Sequence, residues 1–405
     1  MREINLKEYA TSEHALSATE RDALQETLPS LVFQPVIGTD RTYRITSGSI
    51  VGAVDIGDLS VLIEPKIPIP QLLSLVCYAM GAFRPQRQLF DYPHEYALPD
   101  VLALSLASAA RRAFSRGLLH GYLEEEEALQ TVRGRVRFGE QMRRRFGTAL
   151  PVEVRYDEFT DDILANRLVK AATAKLGGMR LRWKAARSEL GRIVGTLDNV
   201  SLVEFSPLSV PDVRFDRLNE HYREVVALSR LVLRHSAFES RRGEVRASGF
   251  LVDMNVVFQE FVTQALREQL SVSRSLFLER YIPSLDRRGN VKLRPDLTWW
   301  HGRDCLFVGD AKYKVAEGRV HHDDLYQLLA YVTALDLPGG MLIYAQGETK
   351  PVVHEVRRFH KRLEIAALDL SGTLDVVLNR VVGVARRVEE LRDEAKALRR
   401  SRSAA

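Results

Sequence analysis

The chain has 405 residues, a formal net charge of +5, and 45% apolar and 27% charged side chains. This length exceeds the size at which a single hydrophobic core usually stops growing, so two domains are expected. The longest apolar run, Val101–Ala110, is too short to cross a membrane, which indicates a soluble protein. The two cysteines, Cys77 and Cys305, form no CxxC pair, so neither a zinc site nor a disulfide framework is indicated and a reduced, cytoplasmic setting fits.

The N-terminal 70 residues are rich in β-branched side chains punctuated by Gly, Asp and Pro, which is typical of strands. Helical patterns follow over Gln71–Phe83 and Val101–Leu119. The acidic run Glu124–Glu127 is interpreted as a solvated helix end. The beginning of the chain is therefore expected to be of the α+β class.

An arginine cluster lies in the next segment, residues 130–155, which has strand-like patterning. In TVRGRVRF, Arg133, Arg135 and Arg137 are spaced two apart, which would place them on one face of a strand. Such a basic face suits DNA phosphates or an acidic partner protein, and it is equally compatible with a plain solvated surface. The residues by themselves leave these alternatives open.

Two further helical stretches, residues 157–193 and 219–236, complete the N-terminal part. The polar, glycine-containing stretch Phe238–Gly249 is interpreted as a domain boundary. We therefore expect an N-terminal domain over residues 1–237 and a C-terminal domain over residues 245–405.

The C-terminal domain alternates helices and strands. A helix over residues 254–270, a strand hairpin over Val291–Lys314 and a helix over residues 321–335 precede further strands and a long charged final helix. This order predicts an α/β domain with a small mixed sheet flanked by helices.

The hairpin carries the candidate chemistry. Asp296 lies in its first strand, and Asp310 and Lys312 share one face of its second strand because side chains two apart point the same way. If pairing brings Asp296 beside them, two carboxylates repel each other unless a cation intervenes. Mg²⁺ prefers oxygen ligands and keeps several waters, so Asp296, Asp310 and the Ala311 carbonyl are adequate ligands. Lys312 would then orient or deprotonate the attacking water, or neutralise developing negative charge.

The triplet (D/E)-x-K is weak by itself, because the chain contains four of them. The other three begin at Glu64, which precedes a proline, at Glu348, in a GETK turn, and at Glu394, on the final charged helix. Only Asp310 follows an apolar strand and has a strand-borne aspartate upstream. The alternative for Asp310 and Lys312 is a structural surface salt bridge.

The helix after the hairpin adds Gln327 and Tyr331, which at i and i+4 share one face. With Arg-Pro-Asp296, Asp310-Ala-Lys312 and this QxxxY helix, the chain resembles the PD-(D/E)XK nuclease superfamily. Within it, the segments VRGRVRFGEQ, FDRLNEHY and LVDMNVVFQEFV are similar to the McrC family, the nuclease subunits of McrBC-type restriction systems. The resemblance covers roughly residues 40–350.

The resemblance implies a restriction-endonuclease-like core, cleavage of double-stranded, methylated DNA, catalytic roles for Asp296, Asp310, Lys312 and Gln327, and Mg²⁺ held by the two aspartates. It also implies a separate AAA+ GTPase partner, since the sequence has no phosphate-binding loop of the form GxxxxGK[ST]. The part before the nuclease domain would dock on this motor, with the arginines at 133–137 and Tyr331 as candidate contacts to partner or DNA.

One position departs from the family pattern. Where the family has Phe-Glu, this chain has Phe258-Gln259 with Glu260 one place later, so a third acidic ligand stays open. Two alternative functions also stay open: a stand-alone repair or recombination nuclease, and a non-catalytic subunit that activates the motor.

Overall fold

The computed structural model describes residues 2–81, 97–146, 148–242, 245–273, 277–280, 282–315, 322–346, 352–358 and 360–404. The chain forms two compact units. Unit 1 combines Met1–Glu95 with Ala237–Ala405, and unit 2 is the continuous segment Tyr96–Ser236. Within the described ranges, no helix is both long and apolar enough to span a bilayer.

The described residues contain ten α-helices and seventeen strands. The helices are α1 Ala18–Thr27, α2 Ile69–Ala79, α3 Leu98–Phe114, α4 Phe138–Arg144, α5 Leu164–Gly178, α6 Lys184–Thr196, α7 Arg223–His235, α8 Met254–Gln269, α9 His322–Ala334 and α10 Leu374–Ala404. The strands are β1 Arg2–Lys7, β2 Thr11–Ala15, β3 Val32–Pro35, β4 Thr42–Thr46, β5 Ile50–Ile56, β6 Leu59–Glu64, β7 Gly121–Leu129, β8 Arg135–Val136, β9 Val152–Thr160, β10 Ser236–Arg242, β11 Val245–Asp253, β12 Phe277–Leu278, β13 Leu297–His301, β14 Asp304–Val315, β15 Gly339–Gln346, β16 Val352–Glu355 and β17 Arg362–Ala367. The mixed α/β class is confirmed.

The predicted domain division differs from the observed units. The boundary near residue 237 coincides with the end of unit 2, but the first 95 residues belong with the C-terminal part of the chain. The physical reason is strand pairing: β11 lies antiparallel to β5, from Ala247 opposite Ile56 to Asp253 opposite Ile50. The stretch interpreted as a boundary is therefore part of a sheet.

The glycine that suggested a flexible boundary serves close packing instead. A Cβ on Gly249 would lie 2.4 Å from the backbone oxygen of Ala53 on the neighbouring strand. On β5, a Cβ on Gly52 would lie 2.0 Å from the backbone oxygen of Phe250, and the φ of Gly52 is +133°. Both positions require glycine because the two backbones approach each other too closely for a side chain.

Unit 1 contains three sheets. A five-stranded sheet has the order β1-β6-β5-β11-β10, and a three-stranded sheet has the order β2-β4-β3. The third is a six-stranded mixed sheet with the order β12-β13-β14-β15-β17-β16. In it, β14, β15 and β17 are parallel, while β13 and β16 run antiparallel to their neighbours. The short strand β12 completes one edge, opposite the edge formed by β16.

Helices α8 and α9 cover opposite faces of the six-stranded sheet. On β14, the Tyr313 ring lies 6.0 Å from the Phe258 ring of α8. Its neighbour Lys312 projects to the other face, because successive side chains alternate along a strand. That face packs on α9, where Leu328, Tyr331 and Val332 join a buried cluster with Val308, Leu342 and Tyr344 of the sheet.

Unit 2 combines a three-stranded sheet, β7-β9-β8, with packed helices α3, α5, α6 and α7. Here the interpretation of Glu124–Glu127 as a helix end is wrong: these residues lie within β7, which pairs with β9 over nine residues. Four consecutive glutamates are tolerated in this strand because the sheet is solvent-facing and Arg155 of β9 lies 2.5 Å from Glu126 and 3.5 Å from Glu124.

The arginine strand is also only partly as predicted. Strand β8 has two residues, and Arg137 lies beyond it as the residue before α4. Arg137 pairs with Glu126 at 2.9 Å. Arg133 lies 3.6 Å from Glu158 and stacks on the Tyr156 ring, with 4.0 Å from Cζ to the centroid. The prediction of a wholly basic strand face is therefore wrong, because carboxylates of the neighbouring strands offset two of the three arginine charges.

Candidate active site

The hairpin β13–β14 brings the two predicted aspartates together. Leu297 pairs with Gly309, so Asp296, one residue before β13, lies across from Asp310. The backbone N–H of Asp296 donates to Asp310 Oδ1 at 3.1 Å, and the backbone N–H of Ala311 donates to Asp296 Oδ2 at 3.0 Å. Each carboxylate is thus held by the backbone of the opposite strand. The hairpin register fixes both side chains without help from another element.

The carboxylates lie in an environment that disfavours two negative charges. Asp310 is 1% exposed. Burial, followed by repulsion from Asp310, raises the pKa of Asp296 to about 7. Asp310 Oδ2 accepts no hydrogen bond of good geometry from the described residues, although the Lys312 ammonium forms an ion pair with it. Two adjacent carboxylates, one of them buried, share one cation, so further positive charge is stabilising in this site.

Lys312 projects from β14 on the same face as Asp310, as the spacing predicted. Burial lowers the pKa of its ammonium, but the carboxylates of Asp310, Asp296 and Asp324 together outweigh burial, and the net shift is upward. Lys312 is therefore protonated at neutral pH in this arrangement. It can donate hydrogen bonds and neutralise negative charge.

Helix α9 closes the site from one side with the predicted pair. Gln327 Nε2 donates to the Tyr331 hydroxyl at 2.7 Å, and that hydroxyl donates to the Arg294 carbonyl at 3.4 Å. Tyr331 is buried and Gln327 is exposed. Burial first, and then the charges of Asp310 and Asp296, raise the pKa of the Tyr331 phenol. The two side chains therefore form a neutral, hydrogen-bonded wall beside the carboxylates.

Two residues of the same surroundings were not predicted as site residues. The Tyr344 hydroxyl donates to Asp324 Oδ2 at 2.8 Å, and both residues are buried. Tyr344 is the β15 partner of Lys312 in the parallel register. A usable signal was present, because Asp324 precedes Gln327 by three residues and so lies on the same side of α9.

The third acidic position is not filled by α8. Glu260 is exposed and Gln259 is half-buried, and the neighbouring Phe258 packs on Tyr313, on the face of β14 opposite to Lys312. In the parts of the chain that the structure describes, no three His, Cys, Asp or Glu side chains group closely enough to hold a metal. The candidate site therefore has two carboxylates.

These two carboxylates fit a hard divalent cation that keeps most of its waters. Mg²⁺ is commonly bound in proteins through one or two carboxylates, the remaining octahedral positions being taken by water and substrate oxygens. The buried Asp310 Oδ2, without a hydrogen bond from the described residues, is the kind of oxygen that such an ion would coordinate. The Ala311 carbonyl stays a predicted further ligand.

The remaining acid-x-Lys triplets lie in other surroundings. Glu64 ends β6, on a different sheet from Asp310, and the Lys66 ammonium lies over the Tyr9 ring, 4.8 Å from its centroid. Glu394 of α10 forms an ion pair with Arg362. Glu348 and Lys350 lie outside the described residues. Arg133, Arg135 and Arg137 belong to unit 2 and are not among the residues that meet at the Asp296–Asp310 pair.

Comparisons with a family model, with a curated relative and with a solved structure all identify the same protein family. The family model described as "McrBC 5-methylcytosine restriction system component" matches residues 45–345. The chain is 23% identical over 308 residues to the type IV methyl-directed restriction enzyme EcoKMcrBC of Escherichia coli K12, which covers 71% of this chain and 88% of that protein. Its fold is similar to a chain in the solved half-complex of Thermococcus gammatolerans McrB AAA+ hexamers with bound McrC. That match has a TM-score of 0.62 at 18% identity and covers 95% of this chain and 100% of the other.

Proposed function

The chain belongs to the McrBC 5-methylcytosine restriction system component family, and from that premise we propose that it is the DNA-cleaving subunit of such a system. In this proposal the hairpin β13–β14 and helix α9 form the centre of a PD-(D/E)XK nuclease core. The observation that carries it is the pair formed by half-buried Asp296 and buried Asp310, with Lys312 beside it. A structural salt bridge between Asp310 and Lys312 needs no second carboxylate at this position.

The proposed roles follow from the local chemistry. A bound Mg²⁺ would act as a Lewis acid toward the scissile phosphate and would acidify a coordinated water. Asp296 and Asp310 would hold the ion, because backbone hydrogen bonds fix both carboxylates. Lys312, which forms an ion pair with Asp310, would orient or deprotonate the attacking water or stabilise the negative charge that develops on the phosphate oxygens. Gln327 keeps the Tyr331 hydroxyl oriented at the edge of the site.

The proposal includes a partner. In the Thermococcus structure McrC is bound to McrB AAA+ hexamers, and the E. coli relative is a methyl-directed restriction enzyme. We therefore propose that this chain works with an AAA+ GTPase motor on double-stranded, methylated DNA. The chain itself has no GxxxxGK[ST] loop with which to bind a nucleotide.

Asp310→Asn tests the catalytic assignment while leaving the shape of the side chain unchanged. The complex of this chain with its motor should lose DNA cleavage by about a thousandfold or more, because several kcal/mol of transition-state stabilisation depend on the bound ion. GTP hydrolysis by the same preparation should stay near the wild-type rate. Cleavage of a 5-methylcytosine-containing plasmid with Mg²⁺ and GTP measures the first, and phosphate release measures the second.

Asp336→Asn is the control, since Asp336 is an exposed aspartate after α9, and it should leave both rates unchanged. If the complex with Asp310→Asn cuts DNA as the wild type does and still hydrolyses GTP, the catalytic assignment is wrong and the non-catalytic activator is favoured. If the wild-type chain cuts DNA without motor or GTP, the stand-alone nuclease is the correct function.

A further inference from the structure

A basic hairpin precedes Asp296 and extends to the surface. From Arg280 to Arg294 the sequence contains five cations and one carboxylate, in a chain whose total net charge is only +5. We define the phosphate arm as residues 282–294. We propose that this arm contacts the DNA backbone on one side of the scissile phosphate; the inference rests on the proposed nuclease function.

The base of the arm is fixed in the core of unit 1. Ile282 and Leu293 pair through a backbone hydrogen bond of 3.1 Å, and both side chains are buried in the cluster that contains Tyr331. The Arg294 carbonyl accepts the Tyr331 hydroxyl, which faces the Asp296–Asp310 pair. The arm is therefore anchored to residues that line the candidate site.

The tip of the arm is an ordered turn. The backbone N–H of Leu285 donates to the Val291 carbonyl at 3.0 Å, and the backbone N–H of Val291 donates to Asp286 Oδ1 at 2.8 Å. Backbone hydrogen bonds, that of Val291 first, lower the pKa of Asp286, so this carboxylate is committed to the turn. Gly289 supplies the positive φ of +75° that the turn needs.

Three cations of the arm are available to a ligand. Arg287, Arg288 and Lys292 are exposed, and none forms an ion pair with a carboxylate of the described residues. Arg294, by contrast, pairs with Glu279 at 2.9 Å. Exposed cations without carboxylate partners, two of them guanidinium groups suited to bidentate phosphate contact, fit a polyanion.

The reach of the arm matches a duplex cut at Asp296–Asp310. Lys292 is four residues from Asp296, so their Cα atoms are at most about 14 Å apart. One strand of B-DNA has a phosphate every ~3.4 Å of helix axis. The maximum distance between the two Cα atoms therefore corresponds to about four base pairs along the duplex. Arg288 is eight residues away, which limits its distance to about 28 Å and its contacts to within about eight base pairs.

The opposite edge of the same sheet offers a matched control. Arg357 and Arg358 follow β16 and are exposed, and β16 forms the edge opposite β12. Both arginine pairs lie in turns outside the core. Arg287→Ala/Arg288→Ala and Arg357→Ala/Arg358→Ala therefore remove equal charge at opposite edges of one sheet.

The test measures binding of a 40-base-pair duplex to the full chain in EDTA, by fluorescence anisotropy, over a range of salt concentrations. Loss of two phosphate contacts should reduce the slope of log K against log salt by about 1.8. Affinity at 50 mM salt should fall roughly tenfold to a hundredfold for the arm variant and stay unchanged for the control variant. Arg287→Lys/Arg288→Lys should restore the slope, because the charge is kept.

Cleavage by the complex of chain and motor separates binding from chemistry. The arm variant should raise KM for DNA and retain kcat, since the arm touches no reacting atom. Equal behaviour of the two alanine variants would overturn the arm assignment while leaving the nuclease proposal intact. If the arm variant abolished GTP hydrolysis by the motor but left DNA affinity unchanged, the arm assignment would also be overturned. The arm would then contact the protein partner and not DNA. A wild-type complex that neither binds nor cuts duplex DNA would overturn both.

Discussion

Asp296 and Asp310 illustrate how a site can be pre-formed by its own backbone. Each carboxylate accepts an N–H from the strand that carries the other, so the pair is positioned before any ligand arrives. Holding two carboxylates together, one of them buried, costs free energy, and the single ammonium of Lys312 offsets only part of it. Binding of a cation therefore relieves a repulsion that the fold has already imposed.

Glu8, on the other side of β14, is another carboxylate that the fold holds away from water. Its carboxylate is 2% exposed and accepts the Lys66 backbone N–H at 2.9 Å and the Tyr313 hydroxyl at 3.4 Å. Its second oxygen, Oε1, is buried without a hydrogen bond from the described residues. Burial raises the pKa of Glu8 from 4.5 to about 7.

This shift predicts a pH-dependent stability with a definite sign. Because the folded protein holds the Glu8 proton more tightly than the unfolded chain, the Glu8 contribution is fully present below pH ~4.5 and is lost as pH rises through ~7. Glu8→Gln removes that loss. The free energy of unfolding of the variant, relative to wild type, should increase by about 2.5 kcal/mol between pH 5 and pH 8.

Urea denaturation at several pH values measures the difference. Glu64→Gln is the matched control, because Glu64 is an exposed glutamate at the end of β6. It should track the wild type at every pH. A Glu8→Gln curve parallel to the wild-type curve would show that Glu8 is ionised in the folded protein near its ordinary pKa.

At the scale of elements, β14 connects two different environments. One face carries Asp310 and Lys312 toward α9, and the other carries Tyr313 against Phe258 and Glu8. The strand therefore joins the candidate site to the N-terminal segment of unit 1.

The final helix α10 is fixed to the sheet by a charge network. Arg387 donates from Nε and Nη2 to the two oxygens of Glu364 on β17, each at 2.6 Å, and Glu364 is 2% exposed. Arg387→Ala would leave this buried carboxylate with much less compensation. We expect a loss of about 3 kcal/mol of unfolding free energy, at the low end for breaking a buried pair because the arginine is partly exposed.

Arg386→Ala is the control, since Arg386 is the preceding residue on the same helix and is exposed. It should change the free energy of unfolding by less than about 0.5 kcal/mol. Chemical denaturation of the full chain measures both variants. Equal stability of the two would mean that the Glu364–Arg387 pair contributes nothing net to folding.

At the scale of the whole molecule, unit 2 is a continuous insertion between two parts of unit 1. Its core is built from its own helices, with Tyr222 buried and its hydroxyl accepting the Leu119 backbone N–H at 2.8 Å. Unit 1, by contrast, needs both parts of the chain. Phe250 and Val252 of β11 are buried, and their strand pairs with β5 nearly 200 residues earlier.

This organisation predicts different behaviour of two fragments. Residues 96–236 expressed alone should fold and unfold cooperatively on heating, because the fragment contains the whole of unit 2. Residues 245–405 alone should be unfolded or aggregated, because β11 loses its partner strand and exposes apolar residues. Circular dichroism and size-exclusion chromatography measure both. A well-folded 245–405 fragment would support the division expected from the sequence instead.

The sequence alone determined the local parts of this protein. The spacing of Asp310 and Lys312, the i, i+4 pair Gln327 and Tyr331, and the alternation of helices and strands after residue 254 all depend on contacts between near neighbours, and the structure has them as predicted. What the tertiary structure decided involves pairing across long separations. The glycine of β11 suggested a linker, and only the neighbouring strand β5 explains why that position is glycine. The acidic run suggested a helix end, and only Arg155 on β9 explains how a strand accommodates it. In both cases the deciding partner lies outside any local sequence window, so periodicity and spacing could not identify it.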